Sequence, residues 1–264
     1  MEGDVRDFKK LDGLLEGTEV VFHLAAVVSV LTSLEDPQTT WEVNLKGTYN
    51  ILEASRRAKV KRMVYISTSA VYGEYPKLPF VESHPPQPES PYALSKLVGE
   101  QLCSLYWRLY GLETVALRLF NVYGPRQNPF SQYANAIPNF TRRLLTRQTP
   151  TIYGDGNQTR DFVYVDDVVR AAELAARSKK AVGGVFNVGS GKRISVNKLF
   201  AEIQKILKTE AGPEFSPRKQ GDVLHTWADV KLARRVLGFS PKADSARSLR
   251  ETVLWFKNSG IFPA

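Results

Sequence analysis

Short apolar runs alternate with longer amphipathic stretches in the first half of the chain, and this order constrains the fold more than any other feature. The runs at 19–24, 62–66 and 113–119 are typical of buried strands. Helices are predicted between them, from about residue 36 to 58 and over 91–111. Strand, helix, strand, helix and strand at this spacing predict an α/β fold with a parallel sheet and right-handed crossovers.

The pattern changes after residue 126, where the segments become shorter and more mixed. We therefore predict two domains, an α/β domain over 1–126 and a smaller α+β lobe over 127–264. A strand near 184–188 is expected to return from the lobe to the first sheet. The other elements predicted in the lobe are strands at 151–153 and 160–165 and helices near 132–147, 166–178, 195–208, 229–238 and 245–258.

Charge and composition exclude some classes of protein. The chain has 36 Lys and Arg against 27 Asp and Glu, a net charge of +9, but the basic residues are scattered without a dense block. Nucleic-acid binding is therefore not favoured, whereas an anionic small molecule or simple solvation fits equally well. One cysteine, Cys103, excludes an internal disulfide, and three dispersed histidines offer no metal-ligand spacing. No apolar run could span a membrane and the charged start is no signal peptide, so we expect a cytoplasmic protein.

Tyr92 and Lys96 lie four residues apart on the predicted helix over 91–111, which Ser90 and Pro91 are suited to begin. Such neighbours share one face, so the ammonium is expected to favour the phenolate and lower the tyrosine pKa from near 10 towards neutrality. By itself the spacing is weak evidence for catalysis. The run at 62–66 strengthens it, because three hydroxyl residues follow at the strand end, where α/β sheets place ligands.

The apolar residues of this helix form one stripe, which we predict to face the core. Tyr92 and Lys96 fall on the opposite side at about 100° per residue. The stripe consists of Leu94, Val98, Leu102, Leu105 and Leu109.

A dinucleotide site normally needs a glycine-rich turn between a strand and a helix. The nearest candidate is Gly189-Ser190-Gly191, which follows the predicted strand near 184–188. Ile194 stands where the pattern needs glycine or alanine, so we predict an ordinary loop here and not a pyrophosphate site.

Together these residues resemble the extended short-chain dehydrogenase/reductase family, and within it the nucleotide-sugar epimerases of the UDP-glucose 4-epimerase type. The matching pieces run in family order over essentially the whole chain. They are Gly3 to Asp7; Val21 to Ala26; Asn44 with Gly47 and Thr48; Ser67 to Gly73; Tyr92 with Lys96; Arg118 to Pro125; Gly154 to Gly156; Arg160 to Phe162; and Gly221 with Asp222.

The resemblance departs at the N-terminus, where the family's first two strands and its glycine-rich loop have no counterpart. The family places its first strand between strands that correspond to about 1–5 and 19–24. Without it, the strand at 19–24 is expected to expose a hydrophobic edge. Either the polypeptide is longer, with Met1 an internal methionine, or this is a degenerate copy with lost cofactor affinity. We favour the first alternative, because the downstream motifs are intact.

For the fold and cofactor, the resemblance implies a Rossmann-like, N-terminally incomplete, NAD-binding domain over 1–126 and a nucleotide-sugar lobe over 127–264. NAD would be tightly held and regenerated. A homodimer is expected through the helix over 91–111 and the long helix before it. The implied cofactor-binding residues are Asp4, Val5, Leu24, Ala25, Ala26, Asn44, Ser67, Tyr92 and Lys96.

For catalysis, the resemblance implies that Tyr92 is the general base for the sugar 4-hydroxyl. Lys96 would lower its pKa and bind the nicotinamide ribose, and Thr68 would hydrogen-bond the sugar oxygen. The implied substrate-binding residues are Thr68, Ser69, Tyr92, Asn121, Arg160 and Asp222.

Purely structural roles are also open for Asn121, Arg160 and Asp222. Arg160 could grip a diphosphate, or it could pair with Asp161 or Asp155. Asn121 could be a turn residue and Asp222 a loop cap. Only their position in the family pattern favours the functional roles.

Two positions narrow the choice within the family. Related 4,6-dehydratases carry Asp-Glu after the catalytic threonine, whereas Ser69-Ala70 stand here, so dehydration lacks its acid. Thr226 matches a position where a large aromatic residue restricts the pocket, so a small residue leaves room for an N-acetyl group.

We therefore predict an NAD-dependent 4-epimerase of UDP-glucose and UDP-galactose, with UDP-N-acetylglucosamine as a further hypothesis. One alternative is another oxidoreductase of the extended family, such as a nucleotide-sugar or hydroxysteroid dehydrogenase. Another is a non-catalytic protein on this scaffold that binds RNA, which the net charge and the missing glycine loop motivate. Intact Thr68, Tyr92 and Lys96 argue against the binding protein.

Overall fold

The structure is a computed structural model that describes residues 2–130, 136–218 and 223–262. Its strands are β1 (Val20–His23), β2 (Arg62–Thr68), β3 (Glu113–Leu119), β4 (Asn121–Tyr123), β5 (Thr151–Tyr153), β6 (Thr159–Arg160), β7 (Phe162–Tyr164), β8 (Val185–Val188), β9 (Ile194–Ser195) and β10 (Glu214–Ser216). Its α-helices are α1 (Phe8–Leu11), α2 (Val30–Glu35), α3 (Pro37–Thr40), α4 (Gly47–Arg57), α5 (Pro91–Tyr110), α6 (Ala136–Leu145), α7 (Val165–Arg177), α8 (Val196–Leu207), α9 (Lys231–Leu237) and α10 (Ser245–Asn258). A π-helical segment, Trp41–Lys46, joins α3 to α4, and short 3-10 turns occupy Ser69–Tyr72 and Lys179–Ala181.

A parallel sheet in the order β1-β2-β3-β8 is the centre of the fold. The middle of β2 is an unbroken run of fully buried residues, as expected for a strand covered on both faces. On one side, Met63 and Tyr65 pack with residues of α4 and α5, and on the other Val64 packs with residues of α7. The predicted α/β fold and the returning strand near 184–188 are therefore confirmed.

The strand β1 is the edge of this sheet in the described part of the chain. Phe22 is 46% exposed and Leu24 is 62% exposed, so the expected hydrophobic edge is present. Residues 2–5, the described part of the strand expected at about 1–5, form no strand. Instead, Asn50 Nδ2 donates to the carbonyl oxygens of Val5 and Arg6 at 2.9 and 3.2 Å, which fixes this segment against α4.

The orientation predicted for α5 is wrong. Its buried residues include Lys96, Gly99 and Cys103, whereas Leu94 and Leu109 are exposed, the latter by 63%. Small residues let this face approach the sheet closely, and a Cβ on Gly99 would collide with the Tyr65 hydroxyl. The leucine stripe therefore forms surface, and the Lys96 face packs on the sheet.

The long helix before α5 is also turned outwards over its first half. Ile51 and Leu52 are buried, but Trp41 and Leu45 line an open apolar depression at the surface. Tyr49 and Leu102 line the same depression, so the two helices present one continuous apolar surface.

The C-terminal lobe has its own hydrophobic cluster, built from α6, α8 and α10. Three short strand pairs lie outside the central sheet: β4 with β7, β5 with β10, and β6 with β9. Of these strands, β4 follows β3 of the central sheet directly. The helix α7, although it belongs to the second predicted domain, covers β2 and β3. The domain boundary at 126 stays a prediction. None of the described helices is long and apolar enough to cross a membrane.

Candidate active site

Two hydroxyl side chains meet at the carboxyl end of β2. Thr68 ends the strand and caps the following 3-10 turn, where its Oγ1 accepts from the backbone N–H of Ala70 at 3.2 Å. Ser90 caps α5 by accepting from Ala93 N at 3.1 Å, which places Tyr92 in the first helical turn. The Thr68 hydroxyl lies near enough to the Tyr92 phenol to act on its pKa. The two predicted catalytic hydroxyls are therefore neighbours.

Lys96 is buried and faces the sheet. Its Nζ lies 4.3 Å from the centroid of the Tyr65 ring, a cation–π distance. Burial lowers the pKa of Lys96 to about 8, and the nearby Cys103 and Glu100 side chains oppose that shift. The ammonium is therefore held beneath the strand end, against an aromatic face.

The predicted fall in the pKa of Tyr92 is wrong for this structure. Burial raises the pKa of Tyr92, and only the nearby Thr68 hydroxyl acts to lower it. The physical reason is the direction of the Lys96 side chain, which lies over Tyr65. Helical spacing placed the two residues on neighbouring turns, but it did not determine where the flexible ammonium points.

A buried ion pair beside Lys96 was not predicted. Arg118 Nε and Nη2 donate to Glu100 at 2.9 and 2.7 Å, and Ser67 Oγ donates to the same carboxylate at 2.5 Å. The Arg118 guanidinium also lies over the Tyr72 ring, 4.8 Å from its centroid. The signal in the sequence was an arginine inside an apolar strand, which requires a buried partner.

The predicted cofactor residues Leu24, Ala25 and Ala26 follow β1 at the carboxyl edge of the sheet. Leu24 and Ala25 are exposed, so the backbone here is open to a ligand. Asn44 fixes the next turn: its Oδ1 accepts from Val27 N at 2.7 Å and its Nδ2 donates to Val27 O at 3.0 Å. Asn44 Nδ2 also donates to Ser95 Oγ on α5 at 3.0 Å. Asn44 therefore supports the loop from behind.

The residues present fit the nicotinamide-ribose end of an NAD molecule. An exposed loop of small residues, a buried ammonium and the Thr68–Tyr92 pair lie at the carboxyl ends of neighbouring strands, where α/β sheets bind nucleotides. The Ser67 hydroxyl, also predicted to bind cofactor, is instead bonded to Glu100 and buried. Lys96 and Tyr92 would hold the ribose.

Asp4 and Val5 precede α1. The Arg6 guanidinium hydrogen-bonds Asp4 and holds the pKa of that carboxyl at about 2, so it is ionised at neutral pH. The Val5 side chain fills the space that a Cβ on Gly47 would need. Both residues therefore lie at the start of α4, on the same side of the sheet as Asn44.

The predicted substrate residues Asn121 and Arg160 lie on β4 and β6. Asn121 Oδ1 accepts from Thr226 Oγ1 at 3.3 Å, and Arg160 Nη1 donates to the carbonyl oxygens of Thr159 and Leu224 at 2.9 and 3.0 Å. Both side chains therefore contact the segment around residue 226. Ser69 follows Thr68 in the 3-10 turn and is half-buried, and Asp222 lies outside the described residues.

The Gly189-Ser190-Gly191 loop binds a carboxylate of the same chain. The Asp161 carboxylate accepts from Ser190 N and Ser190 Oγ, both at 2.7 Å, and from Gly191 N at 3.0 Å. These donors of the loop are therefore used within the chain, and the prediction that the loop is no pyrophosphate site stays a prediction.

Comparison with known proteins assigns the chain to a family. A family model described as the NAD dependent epimerase/dehydratase family matches residues 1–189. The chain belongs to this family. A putative UDP-glucose 4-epimerase of Methanocaldococcus jannaschii is 42% identical over 262 residues, which cover 98% of this chain and 84% of that protein.

Solved structures of family members agree. A UDP-N-acetylglucosamine 4-epimerase from Methanobrevibacter ruminantium, in complex with UDP-N-acetylmuramic acid, matches with a TM-score of 0.94 and 38% identity, over 98% of this chain and 83% of that one. A UDP-glucuronic acid 4-epimerase from Bacillus cereus, in complex with UDP-glucuronic acid and NAD, matches with a TM-score of 0.91 and 36% identity, over 97% and 81%. These matches confirm the resemblance, the Rossmann-like fold and NAD as the cofactor of the family.

Proposed function

We propose that this chain interconverts the C4 epimers of UDP-hexoses, with NAD as a tightly held cofactor and a 4-keto sugar as intermediate. The nearness of the Thr68 hydroxyl to the Tyr92 phenol carries this proposal, because it places two hydroxyls at a strand end where a sugar hydroxyl can meet both. Family membership supports the reaction class.

In the proposed reaction Tyr92 accepts the proton of the sugar 4-hydroxyl and later returns it to the same oxygen. A positioned base commonly contributes about a hundred- to ten-thousand-fold in rate. Thr68 donates to the sugar oxygen and keeps it within reach of Tyr92. Lys96 holds the nicotinamide ribose. This role would turn its ammonium from the Tyr65 ring towards the Tyr92 phenol, where the positive charge would favour the phenolate. When bound, NAD supplies the hydride acceptor for C4.

The remaining proposed residues orient the two ligands. Asn121, Arg160 and Asp222 hold the uridine diphosphate, with Arg160 on the phosphates, since a guanidinium can form two parallel hydrogen bonds to phosphate oxygens. Ser69 lies next to Thr68 on the sugar side. On the cofactor side we propose Asp4, Val5, Leu24, Ala25, Ala26, Asn44 and Ser67.

The activity is tested by incubating the purified chain with UDP-glucose and following UDP-galactose by proton NMR, with NAD measured in the supernatant after denaturation. We expect conversion and about one NAD per chain. Tyr92→Phe should lower kcat by at least about a hundredfold. Tyr110→Phe, at the exposed end of the same helix, is the matched control and should retain activity. Equal rates for the two variants would refute the role of Tyr92.

For the sugar, we propose that N-acetylated hexoses are accepted. Thr226 is small and buried, and its hydroxyl is tied to Asn121, so its side chain leaves space where a large aromatic residue would fill it. The M. ruminantium relative, named as a UDP-N-acetylglucosamine 4-epimerase, is consistent with this. Turnover of UDP-galactose and UDP-N-acetylgalactosamine should be comparable, and Thr226→Tyr should lower only the latter. Complete rejection of the acetamido sugar would contradict the proposal.

We also propose a homodimer through one apolar patch, which consists of Trp41 and Leu45 in the π-helical segment, Tyr49 on α4, and Leu102 and Leu105 on α5. Its residues are half-buried or exposed apolar side chains on two adjacent helices, and the occupant we propose is the same patch of a second copy. Light scattering should show a dimer for the native chain and a monomer for Leu102→Glu. The control, Phe215→Ser, removes an exposed aromatic ring on β10 and should leave the dimer intact. A native monomer would contradict the proposal.

A further inference from the structure

Asp161 is a fully buried carboxylate between β6 and β7. It accepts from Ser190 N and Oγ at 2.7 Å each, from Gly191 N at 3.0 Å and from Ala228 N at 3.1 Å. Burial raises the pKa of Asp161, and these four donors oppose that shift. One side chain thus joins the 189–191 loop to the segment after residue 226.

The backbone of Asp161 forms hydrogen bonds to two other segments, those around Thr226 and Asn121. Its N–H donates to Thr226 Oγ1 at 3.3 Å, and its carbonyl oxygen accepts from Asn121 N at 3.0 Å. Arg160, the residue before it, donates to Leu224 O, and Thr226 N donates to Thr159 O at 3.0 Å. Four separate segments of the chain therefore meet at Asp161.

The loop around Gly189 is shaped for this carboxylate. A Cβ on Gly189 would lie 2.9 Å from Asp161 Oδ2 and 2.6 Å from the Ala228 side chain, so only glycine leaves room. Consecutive backbone N–H groups of this kind usually form a nest for an anion from solution. Here the anion is the Asp161 carboxylate, and it fixes the 189–191 loop to the segment around Ala228.

We propose that Asp161 is a positioning residue for sugar-nucleotide binding: its carboxylate holds the 189–191 loop and the 226–228 segment so that Arg160 and Thr226 keep their places against a nucleoside diphosphate sugar. The inference rests on the proposed function of Arg160. Asp161 touches neither ligand, and it acts through the backbone that carries the binding side chains.

Asp161→Asn tests this inference, since it keeps the shape of the side chain but turns one acceptor into a donor that faces N–H groups. The probe is UDP, and its Kd is measured by calorimetry on the full-length, NAD-loaded protein. We expect the Kd for UDP and the KM for UDP-glucose to rise at least tenfold. The NAD content and the kcat at saturating substrate should stay within about threefold.

Asp167→Asn is the matched control. Asp167 is also a buried carboxylate with several donors, the N–H groups of Lys242 and Ala243 and the Arg170 guanidinium. None of these donors belongs to the 189–191 loop or to the 226–228 segment. We expect a lower melting temperature and an unchanged Kd for UDP. A merely structural role for Asp161 would give both variants the same behaviour.

Ser190→Ala keeps the inference testable where Asp161→Asn does not fold, because it removes one of the four bonds and leaves the carboxylate in place. Its Kd for UDP should rise about two- to fivefold at unchanged NAD content. An unchanged Kd in a folded Asp161→Asn protein, or in Ser190→Ala where that protein does not fold, overturns the inference while the proposed function stands. A native protein that does not bind UDP overturns both.

Discussion

Glu100 is the most informative residue for testing how the centre of the molecule is held together. Its carboxylate is buried between α5 and β3, accepts two bonds from Arg118 and one from Ser67, and lies near the Lys96 ammonium. The substitution Glu100→Gln keeps the volume and removes the charge. It leaves the buried Arg118 guanidinium without its counterion and places an amide N–H₂ group against it.

The loss of unfolding free energy in Glu100→Gln can be estimated from the burial of the ion pair. Removing one partner of a buried, hydrogen-bonded ion pair typically costs about 3–5 kcal/mol, because the other charge remains desolvated. A domain of ordinary stability has about 5–15 kcal/mol in total, so the variant should be severely weakened. By contrast, Glu53→Gln breaks pairs with Arg56 and Arg57, whose side chains are 39% and 49% exposed, and should cost at most about 1 kcal/mol.

Urea unfolding followed by circular dichroism measures this difference. With a slope of about 3 kcal/mol/M, Glu100→Gln should lower the midpoint by about 1 M or more at an unchanged slope. The double variant Glu100→Gln/Arg118→Met, which removes both charges, should be more stable than the sum of the single effects predicts. A Glu100→Gln midpoint equal to that of Glu53→Gln would refute the argument.

Three further predictions concern Gly99, Lys96 and Asn44, which lie beneath the candidate active site. Gly99→Ala forces a methyl group into the Tyr65 ring and should cost about 1–3 kcal/mol of unfolding free energy in urea titrations. Lys96→Met removes an ammonium whose pKa falls from 10.5 to about 8, so it should stabilise the fold by about 3 kcal/mol at pH 7 while abolishing epimerisation. Asn44→Ala releases the Val27 turn and should lower the NAD retained after dialysis about tenfold.

The lowered pKa of Lys96 also predicts how the stability of the fold depends on pH, which gives a separate check. Because the folded pKa is the lower one, the unfolded chain binds more protons between pH 8 and 10.5, and native stability should rise with pH across that window. Lys96→Met should remove this rise, and a rise that persists would contradict the assignment. For Gly99→Ala, unchanged stability would show that Tyr65 can move aside. For Asn44→Ala, unchanged NAD retention would show that the turn does not need the amide.

The sequence was sufficient for the four strands of the central sheet and for the helix α5. The apolar run that became β2, the Ser90 cap and the αL glycine Gly111 that ends α5 are local signals, and each has a physical cause within a few residues. The same holds for Ser195, which caps α8, the helix predicted near 195–208. Family motifs then supplied the catalytic assignment, which composition and spacing do not contain.

The face of α5 could not be predicted because hydrophobic periodicity identifies an apolar face and does not identify what covers it. The leucine stripe is exposed within one chain, whereas Lys96, Gly99 and Glu100 are buried, because small residues and a paired charge allow close approach to β2. The direction of Lys96 and the Glu100–Arg118 pair depend on contacts between distant segments. The same is true of Asp161, whose partners come from residues about 30 and 67 positions away.

Isotope retention tests the central claim most directly. The NAD-loaded protein is incubated with UDP-glucose carrying deuterium at C4, and the product is examined by NMR. If the C4 hydrogen is passed to the cofactor and returned to the 4-keto sugar, UDP-galactose should form with the deuterium still at C4. If no UDP-galactose forms, or if its C4 deuterium has exchanged with solvent, the account is contradicted.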